Sequence, residues 1–367
     1  MEGKNVLYIC DYAAPYPGSF IPAISALVKE VSRHNQVYFL FPEKSRDMPW
    51  LSMLGTDKKQ IFFTEFSVKN LTRECRRLSG MLGKMSIVHT HFVADFRLAA
   101  VRLSFCNVVC HYHMMVPYGK TVMKKLKRLV RLPIYWNCVI IGVSEAVAKD
   151  TQWYFRWVKS ECIPNAIDFR MLDECSAESV VLEKGAPGQF RVLIHGSDFV
   201  CKGVDIAIKA IQELNHESDN GFRLYMTSNT VSATEENIRR ITEETENIAV
   251  IQSVKNIKSL YDSVDLFISP SREEAFSYAV VEASYSGCQV AASDIPGQNT
   301  MKSIPGVIWF EKDDAAGLKN AILEARRRRE DGSAAKIKEE QRTAAVREFR
   351  IEKWVEQNLA VYSKYFG

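Results

Sequence analysis

Apolar residues run along this chain in two rhythms. Short unbroken runs suit strands buried on both faces: Asn5 to Cys10, Val37 to Phe41, Ile87 to His91, Asn107 to Tyr112, Cys138 to Val143, Arg191 to His195, Phe222 to Met226, Asn247 to Ile251 and Leu266 to Ile268. Between them, apolar positions fall at helical spacing: Ile24, Leu27, Val28 and Val31, then Val204, Ile208 and Ile211, and at the end Trp354, Leu359 and Tyr362 within Ile351 to Tyr365. Ser232 to Glu235 reads as a capping box opening a polar helix. Strands alternating with helices predict an α/β chain built on parallel sheets. At 367 residues there is room for two domains. The polar stretch between Asp168 and Gly188, with Gly185 and Pro187, reads as the linker.

One stretch concentrates the chemistry. Pro270 to Gly287 follows the Leu266 to Ile268 strand, turns, and opens a helix near Ala275 to Ala279 that Gly287 stops. A helix starting there points free N–H groups and the positive end of its dipole at whatever lies beyond the strand ends, a place for phosphate oxygens. Glu274 lies in the turn and Glu282 in the helix. An ionised carboxylate only accepts, so each can take paired hydrogen bonds from a vicinal diol of a sugar or ribose. Phosphate donors between two diol acceptors suit a nucleotide sugar. From the residues alone, both glutamates are equally solvated acids at a helix end.

Charge adds a second theme. The net of +4 is split: residues 1–165 hold 23 basic and 12 acidic residues, a net of +11, and residues 166–367 hold 25 and 32, a net of −7. In Val122 to Arg131 the residues Val122, Leu126, Leu129 and Val130 share one helical face and basic residues cover the rest. Such a helix suits an anionic membrane surface, or is a solvated helix packed on a sheet. No nucleic-acid-binding motif accompanies the charge, so nucleic acid is not an expected partner. No apolar run reaches spanning length, and Val6 to Cys10 is too short for a signal core, so the expected location is cytoplasmic, with peripheral attachment at the inner membrane face as an extension. Nine scattered cysteines without a Cys-x-x-Cys pair read as reduced thiols. Cys106, Cys110, His111 and His113 form the one cluster that suggests a metal, but on a strand Cys110 and His111 point to opposite faces, so no metal is expected there.

Glu274, seven residues, then Glu282, with Pro270-Ser271 before and Gly287 and Val290-Ala291-Ala292-Ser293 after, resembles the Glu-x7-Glu signature of family 4 glycosyltransferases. The resemblance implies the GT-B fold: two Rossmann-like domains facing across a cleft, residues 1–165 on the acceptor side and residues 166–350 binding the donor, with 351–367 packing back on the first. It implies donor-sugar contact for Glu274 and ribose contact for Glu282. Lys202-Gly203 matches the family's phosphate-gripping Lys-Gly, after Gly196, while Ser197 stands where the family has Arg; Arg272 is a candidate substitute. Ala275, Phe276 and Ser277 complete the donor-binding turn, Gly18 and Ser19 line the acceptor side, and His113 takes the place of the family's histidine near the reacting centre, with His111 as competitor. From the residues alone, Gly18 is a turn glycine and Lys202 a solvated lysine.

The implied reaction moves a hexosyl group, with retention of configuration, from a nucleoside diphosphate sugar to a hydroxyl of a glycan or lipid-linked acceptor, by analogy in cell-surface polysaccharide synthesis. No metal or other cofactor is expected; Lys202 and the helix N-terminus would stabilise the leaving diphosphate. The alternative is a non-catalytic GT-B-like subunit that partners an active transferase, motivated by Ser197, Ala166 and Ala275, and by Thr227 and Ser228 where the family has glycines.

Overall fold

The structure, a computed structural model, describes residues 3–93, 95–115, 133–154, 158–174, 188–218, 221–228, 246–252 and 256–367, with single positions between them. The basic segment 122–131, most of the linker up to Gly188 and the capping-box sequence 232–235 lie outside the described residues. The chain divides into two compact units, Met1–Ile167 with Ile351–Gly367, and Asp168–Arg350. No helix among the described residues is long and apolar enough to cross a membrane.

The first unit holds a seven-stranded parallel sheet. Its strands are β1 (Asn5–Cys10), β2 (Gln36–Pro42), β3 (Ile61–Thr64), β4 (Ile87–His91), β5 (Asn107–Tyr112), β6 (Val139–Gly142) and β7 (Lys159–Cys162), in the order β3-β2-β1-β4-β5-β6-β7. Strand alternation sends Val6, Tyr8 and Cys10 to one face and Leu7 and Ile9 to the other, so each apolar run fills two cores at once. The helix Phe20–Val31 covers the first face through Ile21, Ile24, Leu27, Val28 and Val31; the helix Val68–Leu82 covers the second through Leu71, Cys75, Leu78 and Leu82. The helix Ile351–Phe366, the last of the chain, adds Trp354, Val355, Val361 and Tyr362 to the first face. Ala166, in place of the family's glycine, has its methyl buried in this same core.

The second unit holds a six-stranded parallel sheet of β8 (Phe190–His195), β9 (Phe222–Ser228), β10 (Ile248–Gln252), β11 (Leu266–Ser269), β12 (Gln289–Ser293) and β13 (Ile308–Phe310), ordered β10-β9-β8-β11-β12-β13. The order reverses beside β8, whose neighbours are β9 and β11. In an open parallel sheet the loops leaving two such strands diverge, and the crevice they leave is where ligands bind. The apolar pattern leaves four strands unread: β3, β7 and β13 are sheet edges, and β12 lies between β11 and β13. An edge strand is half solvated and needs no unbroken apolar run, as β7, Lys-Ser-Glu-Cys, illustrates.

Because Trp354 is 3% exposed and fills the first core from the chain's last helix, Trp354→Ala should remove about 3–5 kcal/mol of stability. Urea unfolding of the first unit, followed by circular dichroism, should show a lower midpoint; an unchanged midpoint would mean that the helix contributes nothing to this core.

Candidate functional site

The site of the second unit is built where the loops after β8 and β11 diverge. The loop after β8 begins at Gly196 and Ser197 and ends at Gly203, where the helix Val204–Ser218 starts. It is folded tightly: the Asp198 carboxylate and carbonyl accept from the N–H groups of Cys201 and Lys202, at 2.8 and 2.9 Å. The loop after β11 is Pro270 to Ser277, and Arg272 N–H donates across to the Cys201 carbonyl at 2.8 Å, joining the two loops.

Two glycines let these segments close up. A Cβ on Gly203, which has φ +67°, would lie 2.0 Å from the Pro270 carbonyl oxygen, and a Cβ on Gly297 would lie 1.5 Å from that of Glu274. No side chain fits at either place. Beneath the turn, a buried hydroxyl network sets its shape: Ser293 Oγ donates to the Ser271 carbonyl at 2.6 Å, and Gln298 Nε2 donates to Ser269 Oγ at 3.1 Å.

This frame brings Lys202 and Glu274 together. Lys202 Nζ lies 2.5 Å from Glu274 Oε1, which also accepts from Ser271 Oγ at 3.0 Å. The pair is mostly screened from solvent, with side-chain exposures of 30% and 12%. A charged pair of this kind holds the lysine beside the turn. The helix Tyr278–Tyr285 begins directly after the turn, and its N-cap, the buried Ser277, makes no side-chain cap. The positive end of its dipole lies just past the turn that follows β11. Phe276 is buried against Tyr278 and Phe349, so its ring anchors the turn and leaves backbone to face the ligand side.

Glu282 lies one turn into that helix. Burial pushes its carboxyl up to about 7; burial, with a smaller contribution from the Glu282 charge, raises the nearby Tyr261 phenol. Tyr261 Oη meets His195 Nε2 at 2.9 Å, and His195 Nδ1 meets Thr227 Oγ1 at 3.0 Å. Burial lowers His195 to about 4, so this chain is neutral. Thr227 thus takes a specific partner where the resembling family has glycine. Neither His195 nor Tyr261 is signalled by the sequence, because a histidine ending an apolar strand and a tyrosine in a short helix look structural until the fold joins them.

Arg272 is committed elsewhere. Its Nε donates to Asp313 at 2.5 Å, Nη1 to Asp205 at 2.8 Å and to the Val200 carbonyl at 2.5 Å, and Nη2 to Asp205 at 2.7 Å. Four of the five N–H donors of the guanidinium are thereby used, and Asp205 and Asp313 hold its pKa above the usual range. As placed, Arg272 joins the two loops to Asp205 on the helix Val204–Ser218 and to Asp313.

In the first unit, Gly18 has φ +53° and Ser19 caps the helix Phe20–Val31 without a side-chain bond. The backbone of Gly18 needs glycine for its own turn. His113 follows β5, with its ring stacked on Phe92 at 4.2 Å and its Nε2 3.1 Å from His91 Nδ1. His111 is 2% exposed and lies within the core. Cys110 packs in the opposite core, so Cys110 and His111 do face apart.

Residues 189–327 match the family model described as Glycosyl transferases group 1, and residues 27–170 match Glycosyltransferase Family 4. Both domains are glycosyltransferase domains on a GT-B fold. No curated protein sequence matches the chain. Among solved structures, it is similar to a glycosyltransferase from Rickettsia africae, with a TM-score of 0.77 at 17% identity over 100% of this chain and 99% of that one. Anabaena HepE in complex with UDP gives 0.74 at 14% identity over 98% and 100%, and sucrose-phosphate synthase from Thermosynechococcus elongatus gives 0.74 at 14% over 99% of each. At these identities the likeness of the glycosyltransferase to the solved structures is one of fold.

Gly297→Ala tests the frame. The added methyl must displace the Glu274 carbonyl, so thermal unfolding should report a loss of about 1–3 kcal/mol, whereas Gly188→Ala, with open space around it, should lose less despite its positive φ. Equal losses would mean that the turn yields freely.

Proposed function

We propose that this glycosyltransferase moves a hexosyl group from a nucleoside diphosphate sugar to a hydroxyl of a glycan or lipid-linked acceptor, with retention of configuration. The observation that carries the reading is the set made by Lys202, Glu274, the uncapped start of the helix Tyr278–Tyr285 and the enclosed carboxyl of Glu282, all gathered beside the β8 and β11 ends. In this reading the diphosphate takes the helix N–H groups and draws Lys202 from Glu274. Glu274, released, accepts from hydroxyls of the donor sugar. Glu282 accepts from the ribose diol. The leaving phosphate, steadied by Lys202, helps to take the acceptor's proton as the new bond forms on the same face. His113 stands near the reacting centre by its resemblance to the family histidine. A uridine donor is favoured because HepE, of the same fold, is solved with UDP and with UDP-glucose. The residues of the donor set need no divalent ion for this step.

A non-catalytic partner subunit is the second reading, favoured by the binding of Arg272 to Asp205 and Asp313, which leaves Lys202 as the cation nearest the turn in the described site. A thermal-shift panel with UDP, GDP, ADP and dTDP and their sugars, on wild type, Glu282→Ala and Lys202→Ala, decides. One nucleotide should raise the wild-type melting point and leave Glu282→Ala unmoved, and Lys202→Ala should lower the rate of donor-sugar turnover by about 10²–10³. Binding without turnover in wild type would favour the partner subunit; no binding at all would remove the donor-site reading.

The carboxyl of Glu282 sets a pH signature. It accepts both diol hydrogens only when ionised, so nucleotide affinity should rise as pH climbs through about 7. The sign for stability is opposite: a carboxyl whose folded pKa is raised favours the folded state below its unfolded value of 4.5 and loses that contribution as pH rises through about 7. Calorimetric titration of the nucleotide at several pH values on wild type and Glu282→Gln checks this. A flat wild-type profile would contradict it.

A further inference from the structure

The apolar core of the first unit contains three imidazoles that the donor chemistry does not use. His89 and His91 alternate on β4 and so share a face; His111 is the register partner of His91 on β5. All three are at most 2% exposed. Their ring centroids lie 4.2 Å apart for His89 and His91, 5.0 Å for His91 and His111, and 5.4 Å for His89 and His111. One ring nitrogen from each can be chosen so that all three lie within 4.8 Å of one another.

Their hydrogen bonds fix where the lone pairs point. Tyr362 Oη donates to Tyr8 Oη at 3.2 Å and therefore accepts from His89 Nδ1 at 2.6 Å. Nε2 of His89 is then the lone-pair nitrogen, and it faces Nδ1 of His111 at 3.3 Å. That hydrogen bond puts the hydrogen of His111 on Nδ1 and leaves its Nε2 bare. His91 Nδ1 is engaged with His113 Nε2, and His91 Nε2 is the second bare nitrogen. Both bare nitrogens are buried and without a hydrogen-bond partner. An unpartnered buried ring nitrogen costs about 1–3 kcal/mol, and two in one core call for an occupant.

We propose that His89, His91 and His111 together bind one divalent transition-metal ion of the zinc class. Three imidazoles without a carboxylate suit zinc, cobalt, nickel or copper and give little to magnesium or calcium, which take oxygen. Tyr362 is the outer partner that orients His89. The ion would fasten β4 and β5, and through Tyr362 the helix Ile351–Phe366, beneath His113. Burial keeps the imidazoles neutral, His89 near about 3 and His91 and His111 well below the usual range, so no proton has to leave when the ion enters. This ion is separate from the donor set, which lies in the other unit.

The test uses the full chain, stripped with chelator and titrated with Co²⁺. Wild type should retain one Co²⁺ per chain with the visible bands of a nitrogen-ligated, low-coordinate ion, Zn²⁺ should displace it, and the melting point should rise with either. His91→Leu with His111→Leu, which keeps the core apolar, should lose the bands and the rise. Bands that persist in the double variant, or a wild type that shows none, would overturn the site. X-ray absorption on the cobalt-loaded wild type needs no variant: a shell of three imidazole nitrogens supports the assignment, and an oxygen-dominated shell overturns it.

Discussion

The second unit of this protein depends on a contact that excludes side chains. The carbonyl oxygens of Pro270 and Glu274 are covered by Gly203 and Gly297, at distances where a Cβ would overlap them. Everything chemical in the second unit follows from that approach. It seats the β8 loop on the β11 turn, sets Lys202 against Glu274, and leaves the helix Tyr278–Tyr285 to open without a side-chain cap from Ser277. The buried hydroxyls of Ser269 and Ser293 and the amide of Gln298 hold the turn from below, so its two faces are fixed by different means, one steric and one polar.

The parallel sheet supplies the other constraint. A strand buried on both faces reads as an unbroken apolar run, which is why β1, β4 and β11 are legible from sequence with their ends nearly in place. Edge strands carry no such obligation, and β3, β7 and β13 escape the pattern. The turn holding Glu274 was legible because its chemistry is local: strand, turn, helix and two acids within one short stretch. The network of His195, Thr227 and Tyr261 was not, since its members are brought together only by strand pairing and by a helix well separated in sequence. Arg272 shows the converse limit. Its position beside the turn suggests a phosphate contact, but the charges that occupy it, Asp205 and Asp313, come from distant segments.

The histidines of the first unit were half legible. A single-strand view of Asn107 to His113 correctly separates Cys110 from His111 and argues against a metal between them. What that view lacks is the neighbouring strand: Ile87 to His91 places two histidines on one face, and only the β4 and β5 register sets His91 beside His111. Within a strand, alternation decides which residues diverge; across strands, register decides which converge.

The two units thus bury ionisable groups to opposite ends. Enclosure raises the Glu282 carboxyl to about 7, and a group that can shed its charge in this way is tolerable in an interior. Imidazoles need no such compensation for charge, because burial simply keeps them neutral. Their cost lies in lone pairs without partners, and no rearrangement within a trio of neutral imidazoles removes it: each ring has one hydrogen to give and one lone pair to satisfy, so a short chain of them always ends on a bare nitrogen. Tyr362 and Tyr8 close one end of that chain, and His113 leaves His91 with its outward nitrogen still open. A remainder of this kind, beside Phe20, Tyr8 and Trp354, suits a partner that accepts electron pairs from several directions at once, as a cation does.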